Sequence, residues 1–407
     1  MNYWPTIAIV SVTYIGIAAG SWPKLRVNRT TLTIIGAGLL IAAGQVNFQQ
    51  IGSFLDLDTL TLLFSMMVIN ANLQLSGFFK LAGSTLLRVA RTPRALLAVE
   101  ILLSGVLSAL FLNDTICLMF TPLILQVTLS AKRNPIPYLI ALATATNIGS
   151  TATLTGNPQN MIIGVASGIS YTQFTLALAP IALLGLGAIW LVLVLFYPQE
   201  FRAERFSAAP EMHIRTYRPL LIKSSLVVAG LLAAFLIGVP IAEAAFLAAC
   251  ALLLTRRVRP EKVFADFDWS LLVFFGALFI VTGSLEANGI SQGIFSLLRL
   301  GENTGVLGLS AVTVALSNLI SNVPAVMLMR PVIAGLSNPT AGWLTLASAS
   351  TLAGNLTLLG SVANLIVAEI ARRQNVRLSF WEYTRAGSVI TLISLAIGVA
   401  WIAGFIW

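Results

Sequence analysis

The chain has 407 residues, 57% of them hydrophobic and 10% charged, with a formal charge of +9 and a mean hydropathy of +0.90. A soluble domain averages about 25% charged residues, so this chain lacks the polar surface to stay in water. The basic excess does not point to nucleic acid, because Lys and Arg sit in short clusters between apolar stretches, as the positive-inside rule expects.

Apolar stretches of roughly 17–25 residues, enough to cross ~30 Å of hydrocarbon, recur from end to end. The first, Thr6–Gly20, has no basic segment ahead of it and is expected to be retained, not cleaved. Spans are predicted at about 5–20, 31–46, 58–76, 139–168, 172–197, 220–237, 240–255, 268–286, 340–370 and 381–406. Two longer segments, about 95–130 and 303–337, are interrupted by Asn113-Asp114-Thr115 and by Ser321-Asn322, and read as re-entrant hairpins. Gly77–Arg91 and Gly289–Leu300 read as amphipathic interfacial helices that lead from span to hairpin.

Ten crossings and two hairpins, with both termini outside, sort the charge by side. The inner clusters are Lys24/Arg26/Arg29, Lys80/Arg88/Arg91/Arg94, Lys132/Arg133, Arg202/Arg205/Arg215/Arg218/Lys223, Arg256/Arg257/Arg259/Lys262 and Arg372/Arg373/Arg377/Arg385. Together they hold 22 of the 24 Lys and Arg. Counting either hairpin as a single crossing would flip every later loop and destroy this agreement.

The chain repeats itself. Leu107–Ile124 (LSALFLNDTICLMFTPLI) aligns without gaps on Leu316–Ile333 (LSNLISNVPAVMLMRPVI) at an offset of 209, with Asn113 on Asn322 and Pro122 on Pro331. At an offset of 204, Thr153–Asn160 aligns on Thr357–Asn364. The expected fold is therefore an all-α polytopic membrane protein of two inverted repeats, each with five transmembrane helices and one re-entrant hairpin, and with broken helices at mid-membrane. Repeat 1 spans 1–200 (hairpin about 95–130, broken helix about 139–168). A cytoplasmic linker covers 201–219, and repeat 2 spans 220–407 (hairpin about 303–337, broken helix about 340–370).

Four interruptions follow: the hairpin tips and the breaks at Gly156-Asn157-Pro158 and Gly360-Ser361. Gly lets the backbone leave the helix and Pro blocks its continuation. The freed peptide groups and half-helix dipoles can then hold an ion or polar solute. Candidate solute-binding residues are Asn113, Thr115, Gly156, Asn157, Asn160, Ser321, Asn322, Gly360, Ser361 and Asn364.

An ionisable group at mid-bilayer costs at least ~2.5–3.5 kcal/mol, so Asp114 is expected to be the coupling-ion site, titrating a proton or holding Na⁺. The other reading is a carboxylate that caps the hairpin's return arm. Glu100 and Glu243 read as a buried relay or an interfacial charge. Arg330 either attracts an anion or snorkels outward. Asn70 and Asn72 suit inter-helix hydrogen bonds or the cavity, Cys117 a buried apolar role, and His213 a solvated loop. Cys117 and Cys250 give neither a disulfide framework nor metal-ligand spacing. No metal cluster, cofactor motif, paired acids or activated nucleophile is present, which argues against an enzyme.

At Asn113-Asp114-Thr115…Thr121-Pro122, Gly156-Asn157-Pro158-Gln159-Asn160 and Ser321-Asn322-Val323-Pro324 the chain resembles the ion transporter superfamily, most closely its arsenical-permease branch of arsenite/antimonite efflux permeases, related Na⁺/H⁺ antiporters and anion permeases. The resemblance covers nearly the whole chain. It implies inverted repeats, a scaffold and a hairpin-bearing transport part, elevator-like alternating access and a bacterial inner (plasma) membrane location. Homodimers are common among such relatives, and arsenical pumps pair with a soluble ATPase. Sodium–carboxylate symporters of the superfamily carry Ser-Asn-Thr at both tips. The tips here differ, which disfavours di- and tricarboxylates. The expected function is efflux of arsenite or antimonite in exchange for protons. The alternative is a small-anion permease or a Na⁺/H⁺ antiporter.

Overall fold

The computed structural model describes residues 3–19, 21–22, 25–89, 91–202, 216–255, 258–290, 293 and 304–406. Lys24, Arg205, His213, Arg215, Arg256, Arg257, the middle of the 201–219 linker and most of the expected helix Gly289–Leu300 lie outside these residues.

Helices dominate, because in a lipid solvent each backbone polar group must find its partner within its own segment. The first half runs α1 (Trp4–Ala19), a short antiparallel pair β1 (Ser21–Trp22) and β2 (Leu25–Asn28), α2 (Arg29–Ala42), α3 (Ile51–Phe54), α4 (Leu57–Ser76), α5 (Phe78–Val89), α6 (Pro93–Leu110), α7 (Asn113–Ser130), α8 (Ile136–Ser150), α9 (Pro158–Ser167), α10 (Tyr171–Phe196) and α11 (Pro198–Phe201). The second runs α12 (Arg218–Leu236), α13 (Ile241–Leu253), α14 (Pro260–Ala265), α15 (Trp269–Ala287), α16 (Val306–Ile320), α17 (Asn322–Ala334), α18 (Pro339–Ala353), α19 (Val362–Arg373) and α20 (Phe380–Phe405). Six of these helices (α4, α6, α10, α12, α15 and α20) are long and apolar enough to cross a membrane. The β1–β2 pair is the one feature here that the all-α expectation did not contain.

Each apolar segment with a polar interruption splits where the interruption falls. Phe111 and Leu112 separate α6 from α7, and Ser321 alone separates α16 from α17. Ser321 adopts φ +79°, ψ 157°, a region close to glycine-only, and such a residue costs on the order of 1–3 kcal/mol. The other two interruptions, residues 151–157 and 354–361, separate α8 from α9 and α18 from α19.

The helices pack as two bodies. In the first, α1, α2 and α15 pack on one another, as do α4, α12 and α13, and α15 touches α4; α6–α10 and α16–α20 form the second body, which meets the first where α9 touches α4 and α13, α10 touches α12, α16 touches α1 and α17 touches α15. In the second body, α8 and nearly all of α18 are buried on every side although both carry Thr, Ser and (α8) Asn. Close backbone approach makes this possible: a Cβ on Gly149 would stand 2.2 Å from the Gly105 carbonyl oxygen, so α6 and α8 meet through two glycines.

Candidate functional site

A side-chain cap starts the second half of each broken helix. Pro158 takes the first position of α9, and the Asn157 side chain caps it by accepting from the Asn160 N–H. Ser361 caps α19 by accepting from the Ala363 N–H. Asn160 Nδ2 donates to the carbonyls of Ser150 (3.1 Å) and Thr153 (2.9 Å), which the break leaves without helical partners. Asn364 Nδ2 does the same for Gly354 (2.8 Å) and Thr357 (3.1 Å). A Cβ on Gly156 would stand 2.5 Å from the Ser150 oxygen and one on Gly360 2.8 Å from the Gly354 oxygen. Neither break accommodates a side chain there.

The first hairpin tip locks onto the first break, with the Asn113 N–H donating to the Gly156 carbonyl at 3.0 Å. Beneath it, the Ser108 hydroxyl donates to the Thr146 carbonyl at 2.6 Å and the Thr153 hydroxyl to the Ala109 carbonyl.

A cavity of about 260 Å³ opens where these parts meet. Its wall holds Asn113 and Asp114 from one tip, Ser321, Asn322 and Val323 from the other, Pro158, Gln159, Ser361 and Val362 from the two breaks, and Asn28, Arg29, Thr30, Asp268, Ser270, Leu271 and Phe274 from the first body. The N-termini of α7, α9, α17 and α19 all end on it, which places four positive dipole ends around one space. A second space of about 160 Å³ adjoins it and shares Asp114 and Asp268. Asn70, Gln74, Thr115 and Asp266 also line it.

Of the residues singled out from sequence, Asn113, Asp114, Ser321, Asn322 and Ser361 line the larger space and Thr115 the smaller. Gly156, Asn157, Asn160, Gly360 and Asn364 do not line the larger space. Gly156 and Gly360 pack against backbone, and the Asn157, Asn160 and Asn364 amides bond to groups of the two breaks. Asp114 sits in the first turn of α7 and lines both spaces. Asn70 Nδ2 donates to the Thr115 hydroxyl at 3.4 Å. Asn72, for which an inter-helix bond was expected, donates to the Val68 carbonyl of its own helix. Arg330 pairs with Asp56 at 3.4 Å and lines a separate cavity of about 480 Å³ with Glu286. Cys117 is fully buried against the Thr146 hydroxyl at 3.1 Å. Glu100 is fully buried and neither of its carboxylate oxygens has a hydrogen-bond partner.

Sequence reading missed Arg29, Gln159, Ser270 and Asp268 on the wall, and behind it Asn147, whose Oδ1 accepts from Asn113 Nδ2 (3.0 Å) and the Ser361 hydroxyl (3.2 Å) while its Nδ2 donates to Asn355 and Asn364 Oδ1. Arg29 belongs to the Lys24/Arg26/Arg29 cluster, where a basic residue reads as a matter of topology. Asp268 carried a usable signal, an Asp just ahead of an apolar run. It caps α15 through the Leu271 N–H, as Asp56 caps α4 through the Thr59 N–H.

Residues 14–353 match the family model described as citrate transporter (CitMHS). A silicon efflux transporter of rice (Oryza sativa subsp. japonica) is 33% identical, over 93% of each chain. A Dictyostelium discoideum transporter named arsB is 24% identical over 92% of this chain and 87% of its own. In fold, the chain resembles the crystal structure of the Alcanivorax borkumensis YdaH transporter, described as having an unusual topology. The TM-score is 0.58, with 17% identity over 99% of this chain and 97% of that one.

Proposed function

The chain belongs to the citrate transporter (CitMHS) family of membrane transporters, within the ion transporter superfamily, and from that premise we propose that it exports arsenite or antimonite in exchange for protons. The observation that carries this reading is the cavity where both hairpin tips and both helix breaks converge, with one carboxylate, Asp114, on a tip.

Arsenous acid is uncharged near neutral pH and offers hydroxyl groups that both donate and accept. The uncharged Asn113, Asn322, Gln159, Ser321 and Ser361 side chains, together with the helix N-termini, suit such groups. About 260 Å³ holds a solute of this size with a few waters. Efflux of silicon by the rice relative and the name arsB in Dictyostelium support a small hydroxylated solute. Among the charged groups on the wall, two carboxylates face one guanidinium, which weighs against citrate.

The helices that pack as two bodies support elevator-like alternating access, in which α6–α10 and α16–α20 carry the site past the others. The distribution of Lys and Arg supports two oppositely inserted halves in a bacterial inner membrane. Asp114 is the group that reads the proton gradient.

A second reading, a small-anion permease or a Na⁺/H⁺ antiporter, is favoured by the four helix N-termini and Arg29 on the wall. Proteoliposomes decide between them. The arsenite reading expects an imposed pH gradient to drive saturable arsenite movement, and Asp114→Asn to uncouple it. Movement of an anion or Na⁺ with arsenite left behind would replace this reading with the second.

A further inference from the structure

Glu100 sits in the middle of α6 and lines neither of the two spaces at the hairpin tips. Leu110, where α6 ends, is ten residues further on, about 15 Å at the helical rise. The side chain is 0% exposed, and neither carboxylate oxygen has a hydrogen-bond partner among the described residues. None of the described cations reaches it. Of the helices packed on α6, α10 carries no charged residue and has its one titratable group, Tyr171, at the far end. Lys80 on α5 is exposed, as is Arg94 on α6 itself, while α7 brings Asp114 and Cys117 near the tip. That leaves Tyr138 on α8 and Glu200 on α11.

A bare carboxylate here would be an unpaired buried charge, far costlier than the neutral acid, so Glu100 holds a proton in this structure. Packing does not call for it. Helices α6 and α8 are already joined by the close approach of Gly105 to Gly149 and by the Ser108 hydroxyl on the Thr146 carbonyl, and an apolar residue would fill the space without that cost. Ionisable groups inside a membrane segment are rare and mark paths for protons or ions.

A route from Glu100 to the surface begins one helix away. Tyr138 lies close enough for the two to interact electrostatically. It is 0% exposed, its ring held edge-on by Phe201 at 5.8 Å. The Tyr138 hydroxyl donates to Glu200 Oε1 at 3.1 Å. Glu200 is half-buried, and its Oε2 accepts from the N–H of Asn134, an exposed residue, at 3.3 Å. Arg133, in the same turn as Asn134, also interacts with Tyr138.

We propose that Glu100 is a second proton-binding site, besides Asp114, filled and emptied through Tyr138 and Glu200. The Glu100 O–H bond breaks as its proton passes to the Tyr138 oxygen, directly or through one water. The original Tyr138 hydroxyl proton passes to Glu200 Oε1, and Glu200 releases it to water. The reverse sequence refills the site. Nothing in this depends on which solute the cavity takes.

Infrared spectroscopy of the purified full-length protein in lipid, with no solute present, tests it. Wild type is expected to show the carbonyl band of a protonated carboxylic acid at neutral pH, which Asp114→Asn keeps and Glu100→Gln loses. Where Glu100→Gln fails to fold, heavy-isotope labelling of the glutamate carboxyl carbons shifts the same band in wild type. Transfer to heavy water is expected to shift the band as its hydrogen exchanges, and Tyr138→Phe to slow that shift about 100-fold. A spectrum without the band shows Glu100 ionised and overturns the proposal. So does a band that never shifts while the protein stays folded, or one that shifts as fast in Tyr138→Phe as in wild type.

Discussion

Asn160 and Asn364 stand 204 positions apart and make the same pair of bonds, each donating to the carbonyls ten and seven residues before it. Each amide bridges the peptide that its own helix break leaves open. Replacing either with Ala strands one buried carbonyl, Thr153 or Gly354, because Asn157 Nδ2 still donates to the Ser150 carbonyl and the Gly360 N–H to the Thr357 carbonyl, and an unsatisfied buried polar group costs on the order of 1–3 kcal/mol. Asn160→Ala and Asn364→Ala are each expected to lose about 2 kcal/mol or more, read as a fall of several degrees in melting temperature in detergent. Unchanged melting in either variant would remove the bracing role.

The glycines beside these amides have no room for a methyl group. Gly156→Ala and Gly360→Ala push a Cβ onto backbone atoms at 2.5 Å and 2.8 Å, so both are expected to lose transport and accumulate poorly. Gly187→Ala and Gly230→Ala meet nothing within 4 Å and should match wild type in yield and transport, which makes them the controls.

The helix breaks were legible because the residues that cause them are chemically distinctive. Gly156, Asn157, Pro158 and Gly360 stand out in apolar surroundings, and the hairpin interruptions fell within about two residues of Asn113 and at Ser321. Much less of the site was legible. Asn147 lies in an unbroken helix among Ala, Thr and Ile, so only its three-dimensional partners reveal its role. Arg29 and Asp268 sit at span ends, where a charge is ordinarily a matter of topology, and only packing of the first body against the tips puts them on the cavity wall. Asn160 belongs to the same motif as Asn157, and Asn364 follows Ser361 in the same way, yet the geometry spends both amides on backbone carbonyls.

Ser321 holds a glycine-like backbone at the second tip. Ser321→Gly is expected to relieve that strain, offset in part by the greater freedom of glycine in the unfolded chain, for a net gain of about 1 kcal/mol. A thermal melt in detergent measures it, and a lower melting temperature would show that the Ser321 side chain contributes more than its backbone costs.

The Arg330–Asp56 pair joins α17 of the hairpin-bearing body to the start of α4 in the other body, across a cavity that also holds Glu286. With side chains 32% and 13% exposed, it is partly screened, and Arg330→Gln is expected to cost about 1 kcal/mol. Exchanging the two charges, Arg330→Asp with Asp56→Arg, should recover part of that loss. A double variant no better than the sum of the single changes would show that the two residues do not interact.

The most direct measurement is the position of arsenic itself. Anomalous diffraction or a high-resolution density map of the protein with bound arsenite should place the arsenic between Asn113 and Asn322, in the cavity that both hairpin tips line. Arsenic found anywhere else in a protein that still transports arsenite would contradict the central claim that the two hairpin tips form one solute site.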